Sequence, residues 1–163
     1  MRTLTPEPLT AAAFAPFGSV IEASDAAARI DINQGHAVRY DALAEVDVAE
    51  RGGAPVISLF RARPLAELVL KSFERHPLGS QSFVPLSGRP YLVAVAPPGA
   101  FDPAAIRVFS AEGHQGVNYR KGTWHHFLLV LEDSDFLVVD RAGPGDNCEE
   151  VELAVADRIS VAR

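Results

Sequence analysis

An all-β architecture, in one domain spanning residues 1–163, is what the sequence predicts, and three observations carry it. Apolar runs are short, and several show the period of two that puts alternate side chains on opposite faces of a strand. Twelve prolines and twelve glycines interrupt them at intervals too close for a bundle of long helices. With 163 residues, 48% of them hydrophobic, the chain can bury one sizeable core.

The elements follow in order. Thr10 is placed to cap a short helix within 9–17, carrying Ala11, Ala12, Ala13 and Phe14 and stopped by Pro16 and Gly18. Val20 and Ile21 suit a first strand. Residues 30–33 alternate and end in the turn Asn33-Gln34-Gly35, and 42–48 suits one or two helical turns. Beyond this point strands are expected at 56–61, 67–75, 81–86, 91–96, 106–110, 124–131, 136–140 and 150–154. Turns at Pro77, Ser87-Gly88, Pro97-Pro98-Gly99, Glu112-Gly113 and Gly143-Pro144-Gly145 separate them. So many strands in about a hundred residues imply a closed or double-layered sheet, because an open one would leave long unpaired edges.

A formal charge of -6 argues against nucleic acid and anionic membrane surfaces, both of which select clustered Lys and Arg. A small molecule or a protein is the expected partner. The single cysteine, Cys148, makes no internal disulfide and suits a reducing compartment. Residues 1–6 carry no apolar run of a signal peptide, and 91–96, the longest apolar stretch, falls far short of the roughly 20 residues that cross a bilayer. A cytoplasmic location is expected.

Two clusters carry chemistry. In the first, from Phe73 to Phe83, an extended start puts Glu74 and His76 on one face with Leu70, while Phe73 and Arg75 point to the other. A carboxylate and an imidazole then share a cavity. The second runs from Gly116 through Arg120, Lys121 and Trp124 to His125 and His126. Adjacent strand residues face opposite ways, so only one of the two histidines enters a given cavity. Arg120 and Lys121 bring positive charge that suits a carboxylate-bearing substrate. Asp140 and Arg141, at the end of the 136–140 strand, either line the site or pair at its rim; Asn33, Arg39 and Arg61 are weaker candidates.

The two clusters resemble the paired half-motifs of cupins, in which HxH-x4-E and a later PxGxxH gather four metal ligands inside a small barrel. The matching positions are Glu74, His76 and Gln81, then Arg120-Lys121-Gly122-Thr123-Trp124-His125. The resemblance implies a cupin-like jelly-roll β-barrel with a few short peripheral helices. Two imidazoles, one carboxylate and one amide make a poorer transition-metal site than three imidazoles and a carboxylate. No cofactor is therefore required, although His76, His125 and Glu74 leave room for a weakly bound divalent metal, nickel or zinc.

At finer resolution the chain resembles the ureidoglycolate lyase family, also called ureidoglycolate hydrolase, of allantoin and purine catabolism. The resemblance rests on Ile32-Asn33-Gln34-Gly35, Glu74 through Phe83, Gly116-Val117-Asn118-Tyr119, Trp124-His125-His126, and Asp140-Arg141 through Asp146-Asn147-Cys148. It implies a homodimer that cleaves (S)-ureidoglycolate to glyoxylate and urea. Such cleavage needs a base for the substrate hydroxyl and an acid for the departing nitrogen. Those roles fall to His125, His76 and Glu74, with His125 or His76 as base and Glu74 orienting it or acting as acid. Lys121, Arg61 or Arg141 is expected to hold the carboxylate, and Gln81 and Asn118 the ureido group, since amides offer both donor and acceptor. Tyr119 and Trp124 are expected in the cavity wall. Two other readings compete: a metal-dependent cupin, dioxygenase or isomerase, which requires a stoichiometric metal, and a non-catalytic binder of small carboxylates.

Overall fold

The computed structural model describes residues 1–162. Two sheets face each other, and a third closes the back of the larger one. The larger sheet runs Glu149–Glu152, Ser72–Arg75, Trp124–His125, Tyr91–Ala96, Arg107–Ala111, Glu7–Pro8, with Leu129–Val130 also paired to Tyr91–Ala96. The smaller runs Gly18–Ile21, Gly116–Tyr119, Gln81–Pro85, Ser134–Ala142, Ala54–Ala62. Arg2–Leu4, Ile159–Val161 and Val69–Leu70 form the third, and Ala28–Ile32 pairs with Ala37–Asp41 as a separate hairpin. No helix is long and apolar enough to cross a membrane.

The alternation along Tyr91–Ala96 explains the layering. Tyr91, Val93 and Val95 join Phe83, Val117, Phe136 and Val138 of the smaller sheet in a core between the two faces. Leu92, Ala94 and Ala96 turn the other way and pack with Leu70, Phe73, Trp124, Ile159 and Val161 under the third sheet. This central strand is buried on both faces, so all six of its residues are apolar or aromatic. The helix Ala11–Phe14 caps one end of the first core: Thr10 Oγ1 accepts from the Ala13 N–H (3.2 Å), and Phe14 sits edge-on to Phe109.

The all-β, cupin-like class holds, but the expected closed barrel is an open two-sheet sandwich. Ala54–Ala62 and Glu149–Glu152 end their sheets without a partner on the outer side, and facing apolar surfaces rather than a closed ladder exclude water. Several expected elements differ. The strand at 67–75 breaks at Lys71 into Val69–Leu70 and Ser72–Arg75. That break shifts the phase, so Leu70 packs beside Phe73 and not on the face of Glu74. The strand at 124–131 is interrupted at 126–128, where the His126 N–H turns to the Ala94 carbonyl (2.9 Å) and Phe127 is left half exposed. Residues 42–48 form no helix, because their backbone serves as a rim: the Asp47 carbonyl accepts from the Ser80 N–H (2.8 Å), and the Asp47 N–H donates to Ser80 Oγ (2.9 Å). Gly116–Tyr119, absent from the expected strands, is a strand between Gly18–Ile21 and Gln81–Pro85.

Candidate active site

Strand register brings the site together. His125 lies opposite Glu74 and, on its other side, opposite Val95. Phe73 and Trp124 point into the outer core, so their chain neighbours Glu74 and His125 point between the sheets. His76 follows immediately after the Ser72–Arg75 strand and is held from both sides. Its carbonyl accepts from the Gly122 N–H (2.9 Å), and its Nδ1 lies 2.6 Å from the Asn147 carbonyl. Asn147 Oδ1 in turn accepts from the Leu78 N–H (2.7 Å), which latches the 143–148 loop over the imidazole.

Glu74, His76 and His125 converge, with one potential ligand atom from each lying within 4.8 Å of the others. Glu74 Oε1 is 3.8 Å from His76 Nε2 and 3.9 Å from His125 Nδ1, and the two imidazoles are 5.1 Å apart. A carbonyl only accepts, so the hydrogen bond to Asn147 makes His76 Nδ1 the protonated nitrogen and leaves a lone pair on Nε2. The same logic applies to His125, whose Nδ1 faces the His126 carbonyl at 3.2 Å. Both Nε2 atoms are buried and have no hydrogen-bond partner. Two unused acceptors on buried rings are costly unless a ligand meets them.

Burial sets the charges. His125 is 1% exposed with its ring stacked on Tyr119 (4.3 Å, 7° between planes), and burial followed by the neighbouring His76 pushes its pKa down to about 3. It is therefore a neutral imidazole at ordinary pH. Burial raises Glu74 above the usual carboxylate range; His76 opposes that rise and Glu150 adds to it. The Tyr119 phenol is held protonated, chiefly by burial.

Glu74 also lines a recess of about 400 Å³ between the sheets, with Phe60, Phe83, Phe127, Leu128, Arg61 and Arg63 around it. The recess fits a small polar molecule with its charged end toward the arginines. Arg61 is bound in a two-pronged pair to Asp135 (2.8 and 2.9 Å). Arg63 makes no ion pair among the described residues.

Gln81 projects between the sheets on the same side as Phe83 and lies opposite Tyr119 in register. The remaining expected residues are placed elsewhere. Val117 and Tyr119 face the core, so Asn118 faces out of the sandwich, bonded to Ser82 Oγ (2.7 Å) and the Glu45 carbonyl (3.2 Å). Lys121 lines the same outer pocket as Asn118 and is neutralised by Glu50 (2.9 Å) and Asp47 (3.3 Å). Arg141 also turns outward. It is 8% exposed and donates to the Glu50 and Pro144 carbonyls. None of these three meets the histidines, because the alternation that sends Tyr119 and Asp140 inward sends Asn118 and Arg141 outward. His126 packs against Phe73 in the outer core, so only one histidine of the adjacent pair enters the site. Cys148 is exposed, and burial of its sulfur together with Glu74 and Glu150 raises its pKa, which keeps the thiol protonated.

Sequence reading missed Arg63, named Asn147 only within the family resemblance and without a role, and left the inward-facing Asp140 undecided. Asp140 was within reach of the alternation along Phe136 and Val138. Arg63, two residues past Arg61 and just beyond the end of the Ala54–Ala62 strand, carries no motif.

The donor set fits a divalent ion such as nickel or zinc: Glu74, His76 and His125 each offer one ligand atom, and both Nε2 lone pairs are unused. A neutral amide, Gln81, stands where a cupin carries its one carboxylate ligand, and Glu74 where it carries an imidazole, so such an ion would be held less tightly than by the full cupin set.

The fold is all-β and cupin-like, and between its sheets Glu74, His76 and His125 form one titratable cluster. The family model described as ureidoglycolate lyase matches residues 1–161. A ureidoglycolate lyase of Burkholderia mallei is 55% identical over 155 residues, covering 94% of this chain and 91% of the relative. One from Azotobacter vinelandii is 52% identical over 153 residues, covering 92% of each chain. One from Pseudomonas syringae pv. tomato is 53% identical over 153 residues, covering 92% of this chain and 89% of the relative. The chain belongs to the ureidoglycolate lyase family and is an enzyme of the lyase class.

Proposed function

We propose that this chain cleaves ureidoglycolate into glyoxylate and urea by general acid–base catalysis at Glu74, His76 and His125. The observation that carries the reading is the convergence of these three side chains with two buried, unpartnered imidazole nitrogens. Ureidoglycolate holds a hydroxyl and a ureido nitrogen on one carbon beside a carboxylate. A base takes the hydroxyl proton, the O–H electron pair becomes the carbonyl bond of glyoxylate, and the C–N pair leaves with nitrogen, which takes a proton to give urea. No electron is gained or lost.

His76 suits the base. Its tautomer is fixed by Asn147, and its Nε2 lone pair faces the site. His125, with a pKa of about 3, is too weak a base for a hydroxyl proton, and serves as a neutral hydrogen-bond acceptor that orients the substrate. Glu74, raised above the usual carboxylate range, is the acid for the departing nitrogen. The reaction moves one proton from oxygen to nitrogen, and the 3.8 Å between His76 and Glu74 is a distance one bridging water can relay, so the proton collected by His76 returns to Glu74 and the pair resets. Arg63 holds the substrate carboxylate at the mouth of the recess, a role its lack of an acidic partner leaves open. A divalent ion held by Glu74, His76 and His125 would supply Lewis-acid polarisation of the substrate oxygens.

The assembly we propose is a homodimer: Ile57 and Leu59 on the edge strand Ala54–Ala62 are 69% and 70% exposed, an apolar stripe suited to a second copy. The free cysteine suits the cytoplasm. The catalytic reading is tested by steady-state kinetics of Glu74→Gln and His76→Asn. Each is expected to lower kcat by about 10²–10⁴-fold, the range for one acid–base group. Wild-type protein that binds ureidoglycolate without turning it over would make the chain a carboxylate binder instead.

A further inference from the structure

The interior face of the smaller sheet carries a polar pair that acid–base chemistry does not use. Gln81 and Asp140, on the adjacent strands Gln81–Pro85 and Ser134–Ala142, both project between the sheets, in line with Phe83 and with Phe136 and Val138. Gln81 Nε2 donates to Asp140 Oδ2 at 3.1 Å. The other end of the amide, Oε1, is buried and has no partner, and Gln81 as a whole is 6% exposed. An amide can rotate by half a turn and exchange its donor for its acceptor at little steric cost. Asp140 forbids that exchange, because a carboxylate offers only lone pairs and would repel the amide oxygen.

We propose that Asp140 is a positioning residue that sets donor–acceptor specificity: it locks Gln81 with its carbonyl oxygen presented to the site as an acceptor for a ureido N–H. Gln81 lies opposite Tyr119 in register, and the Tyr119 ring stacks on His125, which places the presented oxygen in the layer of the acid–base groups. A buried, unpaired acceptor favours a ligand that brings an N–H and disfavours one that brings only oxygen lone pairs. Of the two products, urea is rich in N–H donors, and glyoxylate has none. The inference rests on the cleavage proposed above and deepens it by assigning the ureido end of the substrate to Gln81.

Competitive inhibition by urea and by glyoxylate, each measured against ureidoglycolate, tests it. Asp140→Leu removes the lock, and urea inhibition is expected to weaken about tenfold while glyoxylate inhibition stays unchanged. Asp140→Asn, whose amide can accept from or donate to Gln81, also releases the lock and is expected to weaken urea inhibition in the same direction as Asp140→Leu. Gln81→Leu is expected to match Asp140→Leu, and the double variant to lose no more than either alone, because Asp140 acts only through Gln81. Equal weakening of both inhibitors, no change in either, or fully additive losses in the double variant overturns the inference while leaving the cleavage standing. A wild-type protein that leaves ureidoglycolate intact overturns the cleavage and the inference together.

Discussion

Arg141 separates a structural cation from a substrate-binding one, and the structure sets the size of the effect. Its guanidinium donates to the Glu50 carbonyl through Nε (3.2 Å) and Nη2 (2.9 Å) and to the Pro144 carbonyl through Nη2 (2.7 Å). The approach is so close that Gly53 is glycine by necessity: a Cβ there would collide with the Val48 carbonyl and the Arg141 Nε. Arg141→Met keeps most of the aliphatic stem and deletes the charged head. Hydrogen bonds from a charged donor are worth about 1.5 kcal/mol each at the low end, so freeing two carbonyl partners costs about 3 kcal/mol. For a chain of this size that lowers Tm by about 6–12 °C. Calorimetry of the variant reads the stability, and kinetics well below its Tm read the site. The expected pairing is a large drop in Tm with KM for ureidoglycolate within about twofold of wild type. An unchanged Tm with a KM raised tenfold or more would show that Arg141 holds the substrate carboxylate and that its outward placement is wrong.

Three further outcomes follow from the same geometry. Arg63→Ala is expected to raise KM about 10-fold or more with little change in kcat, whereas Lys121→Ala, already neutralised by Asp47 and Glu50 on the outer face, leaves KM unchanged; the reverse pattern in steady-state kinetics would move the carboxylate to the outer pocket. His125 and His126 are held neutral by burial, with pKa values lowered to about 3 and about 4 from an ordinary value of 6.5. The unfolded chain takes up protons below about pH 6.5 that the folded chain refuses, so stability is full above that pH and falls as the pH drops toward 4, by up to about 1.4 kcal/mol per unit for each histidine. Guanidinium titrations in the presence of a chelator should show this slope, reduced in His126→Phe; a flat profile between pH 6.5 and 5 would contradict the burial of both rings. Gly53→Ala is expected to unfold at a lower temperature than wild type, with a loss comparable to that of Arg141→Met, and an unaltered Tm would remove the proposed clamp.

The period of two made much of this site legible before any coordinates. It brought Glu74 and His76 to one face and allowed one of His125 and His126 into the cavity. Its failures have the same physical origin as its successes. The absence of Gly116–Tyr119 from the expected strands hid the alternation that sends Tyr119 in and Asn118 out. A single residue between two strands, Lys71, reversed the phase of Leu70 relative to Glu74, and no local pattern announces such a break. The roles of Lys121 and Arg141 were decided by Asp47, Glu50 and Pro144, partners supplied by loops whose path depends on the whole fold. Closure of the barrel was likewise beyond local pattern, since alternation specifies two facing apolar surfaces and says nothing of whether their edges meet.

The central claim is that Glu74 and the two histidines break the carbon–nitrogen bond of ureidoglycolate, and its most direct test is the product balance of the purified protein. Carbon-13 spectroscopy with a parallel ammonia assay is expected to show glyoxylate and urea appearing in equal amounts, without ammonia, and slowed at least about a hundredfold in Glu74→Gln. Release of ammonia, or full activity in that variant, would contradict the account.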